Sequence, residues 1–182
     1  MSMKRILIVK MSSLGDLFHA LPAVHLIKQH TGATVDWVVH DLYADLAGCF
    51  TDVDRVIAFP RHAFWAKREA FVAELRREHY DLALDMQGLL KSALVMRSVK
   101  ATRRVGPSFH REGSRLFYHA VSGPKNKNRH AVEENLDMVR FLGFPVDDVV
   151  FPVRFPAFSL NVGRPRVGLL PCSRRADKNW PA

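Results

Sequence analysis

Arg5–Pro22 reads RILIVKMSSLGDLFHALP, and this stretch contains the turn on which the rest of the chain is built. Ile6, Leu7, Ile8 and Val9 form an unbroken apolar run, the pattern of a strand buried on both faces of a parallel sheet. Lys10 ends the run, and Met11-Ser12-Ser13-Leu14-Gly15 is a short turn with small polar residues. From Asp16 onward, Leu17, Leu21, Val24 and Ile27 fall at helical spacing. The order is strand, tight loop, helix. In open α/β sheets ligands bind just past the carboxyl ends of strands, which is where Ser12, Ser13, Gly15 and Asp16 stand.

The spacing excludes two familiar sites. The loop has neither G-x-G-x-x-G nor G-x-x-x-x-G-K-S/T, so the dinucleotide fingerprint and the P-loop are both absent. One glycine does not wrap a pyrophosphate closely. What is left is an acid at a helix start beside two hydroxyls. Such residues are also ordinary helix caps, worth about 1 kcal/mol each, and spacing alone leaves both readings open. The helix dipole favours the ionised carboxylate, which suits a base that must be unprotonated.

Outward from this turn the pattern repeats. Strands are expected at Thr34–Val39, Arg55–Phe59, Leu82–Asp85 and Arg103–Val105. Helices are expected at Asp41–Phe50, Phe64–His79, Leu89–Val99 and Ala131–Leu142, with Arg111–His119 as a short one. Pro60, Gly143 and Pro145 supply stops. Strands alternating with helices predict an α/β fold, a doubly wound parallel sheet whose strand-end loops share one rim. Gly123–Arg129 reads as a polar, basic loop and Phe151–Pro165 as an extended linker. Residues 1–157 are expected to form one domain. Residues 158–182 then read as linker plus the first strand (Arg166–Leu170) and loop of a second domain that is not present.

Length and composition are consistent with this picture. At 182 residues the chain suffices for one domain with a sizeable core. It is 48% apolar and 25% charged, which places it among globular rather than disordered chains. No apolar run reaches membrane-spanning length, and no secretory signal is read at the start. Cys49 and Cys172 stand far apart and in no metal spacing, so they read as free thiols of a reducing cytoplasm. The 27 basic against 18 acidic residues give a net charge of +9, which points to an anionic partner. With no RNA-binding aromatic motif, zinc finger or basic helix with heptads in view, a phosphorylated or membrane-held substrate is favoured over nucleic acid.

Four further groups of residues lie where ligands could be met. Asp85-Met86-Gln87-Gly88-Leu89-Leu90-Lys91-Ser92 combines the end of a strand with the first turn of a helix, so backbone N–H groups and the Lys91 ammonium together could hold an anion. Arg61-His62-Ala63-Phe64-Trp65-Ala66-Lys67-Arg68 is basic and aromatic; read alone it is a solvated helix start. Arg111-Glu112-Gly113-Ser114-Arg115-Leu116-Phe117-Tyr118 and His130-Ala131-Val132-Glu133 form the third group. Pro171-Cys172-Ser173-Arg174-Arg175-Ala176-Asp177-Lys178-Asn179-Trp180-Pro181 is the fourth, a charged turn that follows the expected strand Arg166–Leu170.

Taken together these segments resemble the bacterial lipopolysaccharide heptosyltransferases, most closely the heptosyltransferase I group. VKMSSLGDLFHALPAV is similar to that family's opening signature. The Gln87–Lys91 segment resembles its D-x-Q-G-L-x-K-S motif, and Arg111–Tyr118 its R-E-x-x-x-x-L-F-Y motif, here one residue shorter. His130 resembles the His of its H-A-V-E-R motif, with Glu134 in place of Arg, and Pro171–Pro181 its donor-phosphate loop, with Cys172 for Gly and Arg174 for Ser or Thr.

The resemblance implies the GT-B architecture, two Rossmann-like domains facing a cleft, of which this chain carries the N-terminal, acceptor-binding one. It implies an inverting, metal-independent transfer of heptose from ADP-heptose to the Kdo region of lipid A, without a cofactor, at the cytoplasmic face of the inner membrane. It implies Asp16 as the general base. The acceptor would be bound by Ser13, Gly15, Arg61, Lys67, Arg68, Gln87, Lys91, Arg111 and His130, and the donor phosphates by Ser173, Arg174 and Lys178. This chain alone is expected to be inactive. A non-catalytic anion- or membrane-surface-binding α/β domain, or another GT-B nucleotide-sugar enzyme, is the alternative reading.

Overall fold

The computed structural model describes residues 3–126, 128–157 and 168. The strand and loop expected within 158–182 lie outside the described residues. Six strands, β1 (Arg5–Val9), β2 (Thr34–His40), β3 (Arg55–Phe59), β4 (His79–Asp85), β5 (Lys100–Pro107) and β6 (Ala120–Ser122), form one sheet. Its order is β3-β2-β1-β4-β5-β6, and every pairing is parallel. The crossovers carry α1 (Leu14–Thr31), α2 (Ala44–Ala47), α3 (Phe64–Arg76) and α4 (Leu90–Ser98), and α5 (Ala131–Phe141) follows β6.

The uninterrupted apolar run takes the central place. β1 pairs with β2 on one side and β4 on the other, with Ile8 opposite both Trp37 and Leu84. Successive side chains point to opposite faces, and both faces are covered. Ile6 and Ile8 pack with Leu17, Leu21, Val24 and Ile27 of α1 and with Leu136 and Val139 of α5. Leu7 and Val9 pack with Phe71 and Leu75 of α3 and Ala93 and Met96 of α4. The helical spacing read from Leu17 onward therefore belongs to one core, and the two-faced strand to both.

Several boundaries differ from the sequence-based expectation. α3 ends at Arg76 and β4 begins at His79 rather than at Leu82, because Tyr80 is drawn into the sheet, its hydroxyl donating to Asp36. β5 spans eight residues rather than three; its polar start, Lys100 and Ala101, still pairs with His79 and Tyr80. The helix expected over 41–50 is a 3-10 turn, Asp41–Tyr43, followed by the single turn of α2. The helix expected over 111–119 is a four-residue 3-10 turn, Ser114–Phe117. β6 is a strand that the pattern did not announce: three residues with no alternation to read.

At the starts of the strands a buried carboxylate ties four of them together. Asp36 on β2 is fully buried. Its Oδ2 accepts hydrogen bonds from Arg55 Nη2 on β3 at 2.7 Å and from the Tyr80 hydroxyl on β4 at 2.7 Å, and Arg5 Nη1 of β1 approaches at 3.2 Å. Arg55 also reaches Glu74 of α3 at 2.7 Å. Burial and the adjacent Asp36 charge push the Tyr80 phenol well above its usual range, so it stays a donor. Asp36→Ala leaves the Tyr80 hydroxyl and two guanidiniums without their shared acceptor. It is expected to lower unfolding free energy by about 3 kcal/mol, as for a broken buried pair, and Tyr80→Phe by about 1 kcal/mol, both read from urea denaturation.

Candidate functional site

Because all strands run parallel, the loops after β1, β3, β4 and β5 meet at one rim. The loop after β1 is defined by hydrogen bonds. Ser13 precedes the first turn of α1 and Asp16 lies three residues on. The Ser13 backbone N–H donates to Asp16 Oδ2 at 2.8 Å and the Ser13 hydroxyl donates to the same oxygen at 2.7 Å. Among the described residues, Oδ1 accepts no hydrogen bond; His19 Nδ1 is 4.0 Å away. The Asp16 side chain is 44% exposed. Burial raises its pKa, but the two Ser13 hydrogen bonds, the Lys10 charge and His19 outweigh that, and the net shift is downward. The side chain is an ionised carboxylate with one oxygen anchored and one open. A Cβ at Gly15 would meet nothing within 4 Å among the described residues.

The loop after β4 supports the first. Gln87 Oε1 accepts hydrogen bonds from the N–H groups of Met11 at 3.1 Å and Ser12 at 3.2 Å. Gln87 is itself set by Asp85, whose Oδ1 accepts the N–H groups of Gln87 at 2.8 Å and Gly88 at 3.0 Å. The other oxygen of Asp85 takes the Tyr118 hydroxyl at 2.6 Å. Burial pushes the Asp85 pKa up against these opposing hydrogen bonds. Tyr118 reaches Asp85 by lying across Gly106 of β5, where any Cβ would fall inside its ring. Gly88 has φ +71°, a left-handed conformation that favours glycine. Its carbonyl accepts the Arg111 N–H at 2.8 Å and the Ser114 hydroxyl at 3.2 Å, coupling the loops after β4 and β5.

Lys10 ends β1 in a nearly closed environment, 6% exposed, with Nζ donating to the Met86 carbonyl at 2.6 Å. Burial lowers its pKa, against the pull of Asp16, Asp85 and Glu134. Its place at the end of an apolar strand was the signal that could have marked it.

The basic residues separate into four places. Arg61 and Lys91 line one pocket of about 280 Å3, together with Phe59, Phe64, Phe71, Val72, Leu94 and Val95. Lys91 Nζ lies 4.5 Å from the Phe59 ring centroid; burial first and then Arg61 lower its pKa. Neither cation has a carboxylate partner among the described residues, so the pocket is arranged for an anion with an apolar neighbour. Lys67 lines a separate depression beside Asp41 and Glu74, and Arg68 another beside Glu69 and Arg76. Arg111 lies farther along the rim in a pocket of about 160 Å3 with His110, Lys125 and Asn126. His130 caps α5, its Nδ1 accepting the Val132 N–H at 3.3 Å, and its ring meets that of His19 edge to face at 5.6 Å. Ser173, Arg174 and Lys178 lie outside the described residues. No group of three or more His, Cys, Asp or Glu able to hold a metal is found among the described residues.

A family model described as glycosyltransferase family 9 (heptosyltransferase) matches residues 68–182. The chain belongs to glycosyltransferase family 9. Among its family 9 relatives, lipopolysaccharide heptosyltransferase 1 of Escherichia coli is 32% identical over 97% of this chain and 61% of the relative. The enzyme of the same name from Pseudomonas aeruginosa is 31% identical over 97% of this chain and 54% of that protein. The chain thus spans little more than half the length of these curated relatives. The solved structure of E. coli heptosyltransferase WaaC with ADP-2-deoxy-2-fluoro heptose superposes with a TM-score of 0.71 at 31% identity, over 81% of this chain and 51% of that one. A family 9 glycosyltransferase from Veillonella parvula shares the fold, with a TM-score of 0.73 at 15% identity. The Rossmann-like parallel sheet described above is that of the heptosyltransferase GT-B fold.

His40, at the end of β2, faces the cationic pocket. Burial, then Lys91 and Arg61, push its imidazole down from 6.5 to about 4, with Asp41 opposing and His62 adding to the fall. Between those pH values the unfolded chain binds more protons than the folded one. Stability contributed by neutral His40 is therefore lost as pH falls from about 6.5 to about 4. His40→Gln is expected to flatten the dependence of Tm on pH across that window, measured by thermal unfolding at a series of pH values.

Proposed function

We propose that the protein is a heptosyltransferase that moves heptose from ADP-heptose onto the Kdo region of lipid A, this chain contributing the acceptor-binding half. The observation that carries the reading is the divided carboxylate of Asp16. One oxygen is fixed to the backbone at the start of α1, and the other is open on the rim where α/β folds bind ligands. The proton of the acceptor hydroxyl passes to Asp16 Oδ1 as its oxygen bonds to the anomeric carbon. The bond from that carbon to the diphosphate oxygen breaks, and ADP leaves with the electron pair. A single displacement inverts the anomeric centre. The neighbouring Lys10, which helps keep Asp16 ionised, suits a base that must be unprotonated at neutral pH.

Arg61 and Lys91, sharing one pocket, are proposed to hold an anionic group of the acceptor, with Ser13, Gly15, Gln87, Arg111 and His130 around it. Gln87 would act through its amide nitrogen, since its carbonyl already holds the loop. Lys67 and Arg68 extend the basic surface. Ser173, Arg174 and Lys178 are proposed to neutralise the departing ADP without a metal ion. The solved relatives carrying ADP and an ADP-heptose analogue support the choice of donor.

The same surface supports peripheral association with the cytoplasmic face of the inner membrane. No described helix is long and apolar enough to cross a membrane. Trp65 is 80% exposed beside Arg61, Lys67 and Arg68, an aromatic among cations as at membrane interfaces.

Two outcomes follow for the intact protein. Asp16→Asn is expected to lower turnover at least about 100-fold, the scale of general-base catalysis, with the acceptor KM little changed, measured by ADP release. Near-normal turnover would remove Asp16 from the role. Binding to phosphatidylglycerol vesicles in sedimentation is expected to exceed binding to phosphatidylcholine vesicles. It should weaken with added salt and in the double variant Arg61→Ser, Lys91→Ser, at about 1 kcal/mol per basic side chain.

A further inference from the structure

His19 stands one turn beyond Asp16 on α1. Its ring is 37% exposed, yet its Nδ1 is shut off from solvent and has no hydrogen-bond partner among the described residues. A buried ring nitrogen without a partner is unusual, because such groups nearly always find one. The acceptor that this nitrogen faces is Asp16 Oδ1, 4.0 Å away, the oxygen that Ser13 does not hold. Three-residue spacing puts the two side chains on one face of the helix. The ring also packs against a second imidazole. His130 meets it edge to face, and His130 is fixed because its own Nδ1 caps the start of α5. The other charged groups around the carboxylate are Lys10 from β1 and, facing Lys10 from α5, Glu134.

We propose that His19 is a positioning residue for the base, its Nδ1–H donating to Asp16 Oδ1 when acceptor is bound, with His130 as the brace that holds the imidazole in line. The inference rests on the reading of Asp16 as the base. Catalytic hydrogen bonds are often long in unliganded sites and tighten with substrate, and closing 4.0 Å to hydrogen-bond distance takes about 1 Å of movement. Ser13 would then fix one oxygen and His19 one lone pair of the other. The last lone pair is left for the acceptor hydroxyl, and the carboxylate plane no longer rotates. The tautomers follow from the contacts. His130, accepting at Nδ1, carries its proton on Nε2, whereas His19 carries its proton on Nδ1.

The experiment compares His19→Ala, His19→Asn and Asp16→Asn in the intact protein, with ADP-heptose and Kdo-lipid A. Asn places an amide nitrogen near the position of Nδ1 and so keeps the donor. His19→Ala is expected to lower kcat by about tenfold to a hundredfold, the scale of a misplaced catalytic group, with acceptor KM within about twofold. The acid limb of the kcat/KM profile should move to higher pH, since Asp16 loses a neighbour that lowers its pKa. His19→Asn should recover most of kcat. Unchanged kcat and acid limb in His19→Ala would overturn the proposal, as would equal damage in the Ala and Asn variants or a change in KM alone. Turnover retained by Asp16→Asn would remove the base itself. Turnover lost in Asp16→Asn but intact in His19→Ala would remove only the role of His19.

Discussion

The geometry of the rim depends on one buried carboxylate, Asp85. A loop of small residues such as Met11–Ser13 has no core of its own, and its N–H groups need acceptors. Gln87 supplies one oxygen to two of them, and Gln87 is held because Asp85, fixed by Tyr118, takes its N–H. The hydrogen bonds thus run from Tyr118, just before β6, through Asp85 at the end of β4, to the loop that sets Asp16 at the start of α1. A parallel sheet brings these loops side by side, and Asp85 fixes them relative to one another.

Much of this order is visible in the sequence because the same residues serve local and global structure. Ile6–Val9 reads as a two-faced strand and is the central one; Leu17, Leu21, Val24 and Ile27 read as a helix face and form it. The strand read from the sequence starts at Leu82, past Tyr80, because the bond that holds Tyr80 in the sheet is to Asp36, 44 residues away. β6 is too short for any period to show, and its pairing with β5 is a matter of tertiary contact. Asp36 itself is a lone acid in an apolar strand, and nothing in its neighbourhood announces two arginines distant in sequence.

The site divides in the same way. Asp16 and Ser13 are legible, since three residues at a helix start is the span over which a side chain reaches back to the backbone. The pairing of Arg61 with Lys91 is not, because it joins the loop after β3 to the first turn of α4 across the rim. His19 had a local signal, its spacing from Asp16, but a histidine on a helix is ordinary until its nitrogen is seen without a partner among the described residues. Lys10 looked like the end of a strand and is that, with a buried ammonium besides.

The polar knot around Asp36 lies at the starts of the strands, at the far end of the sheet from Asp16 and Lys91. Rigidity and the proposed recognition thereby lie at opposite poles. Such an arrangement lends itself to diversification: rim loops can drift toward a new acceptor while the opposite pole, untouched by that drift, continues to secure the sheet.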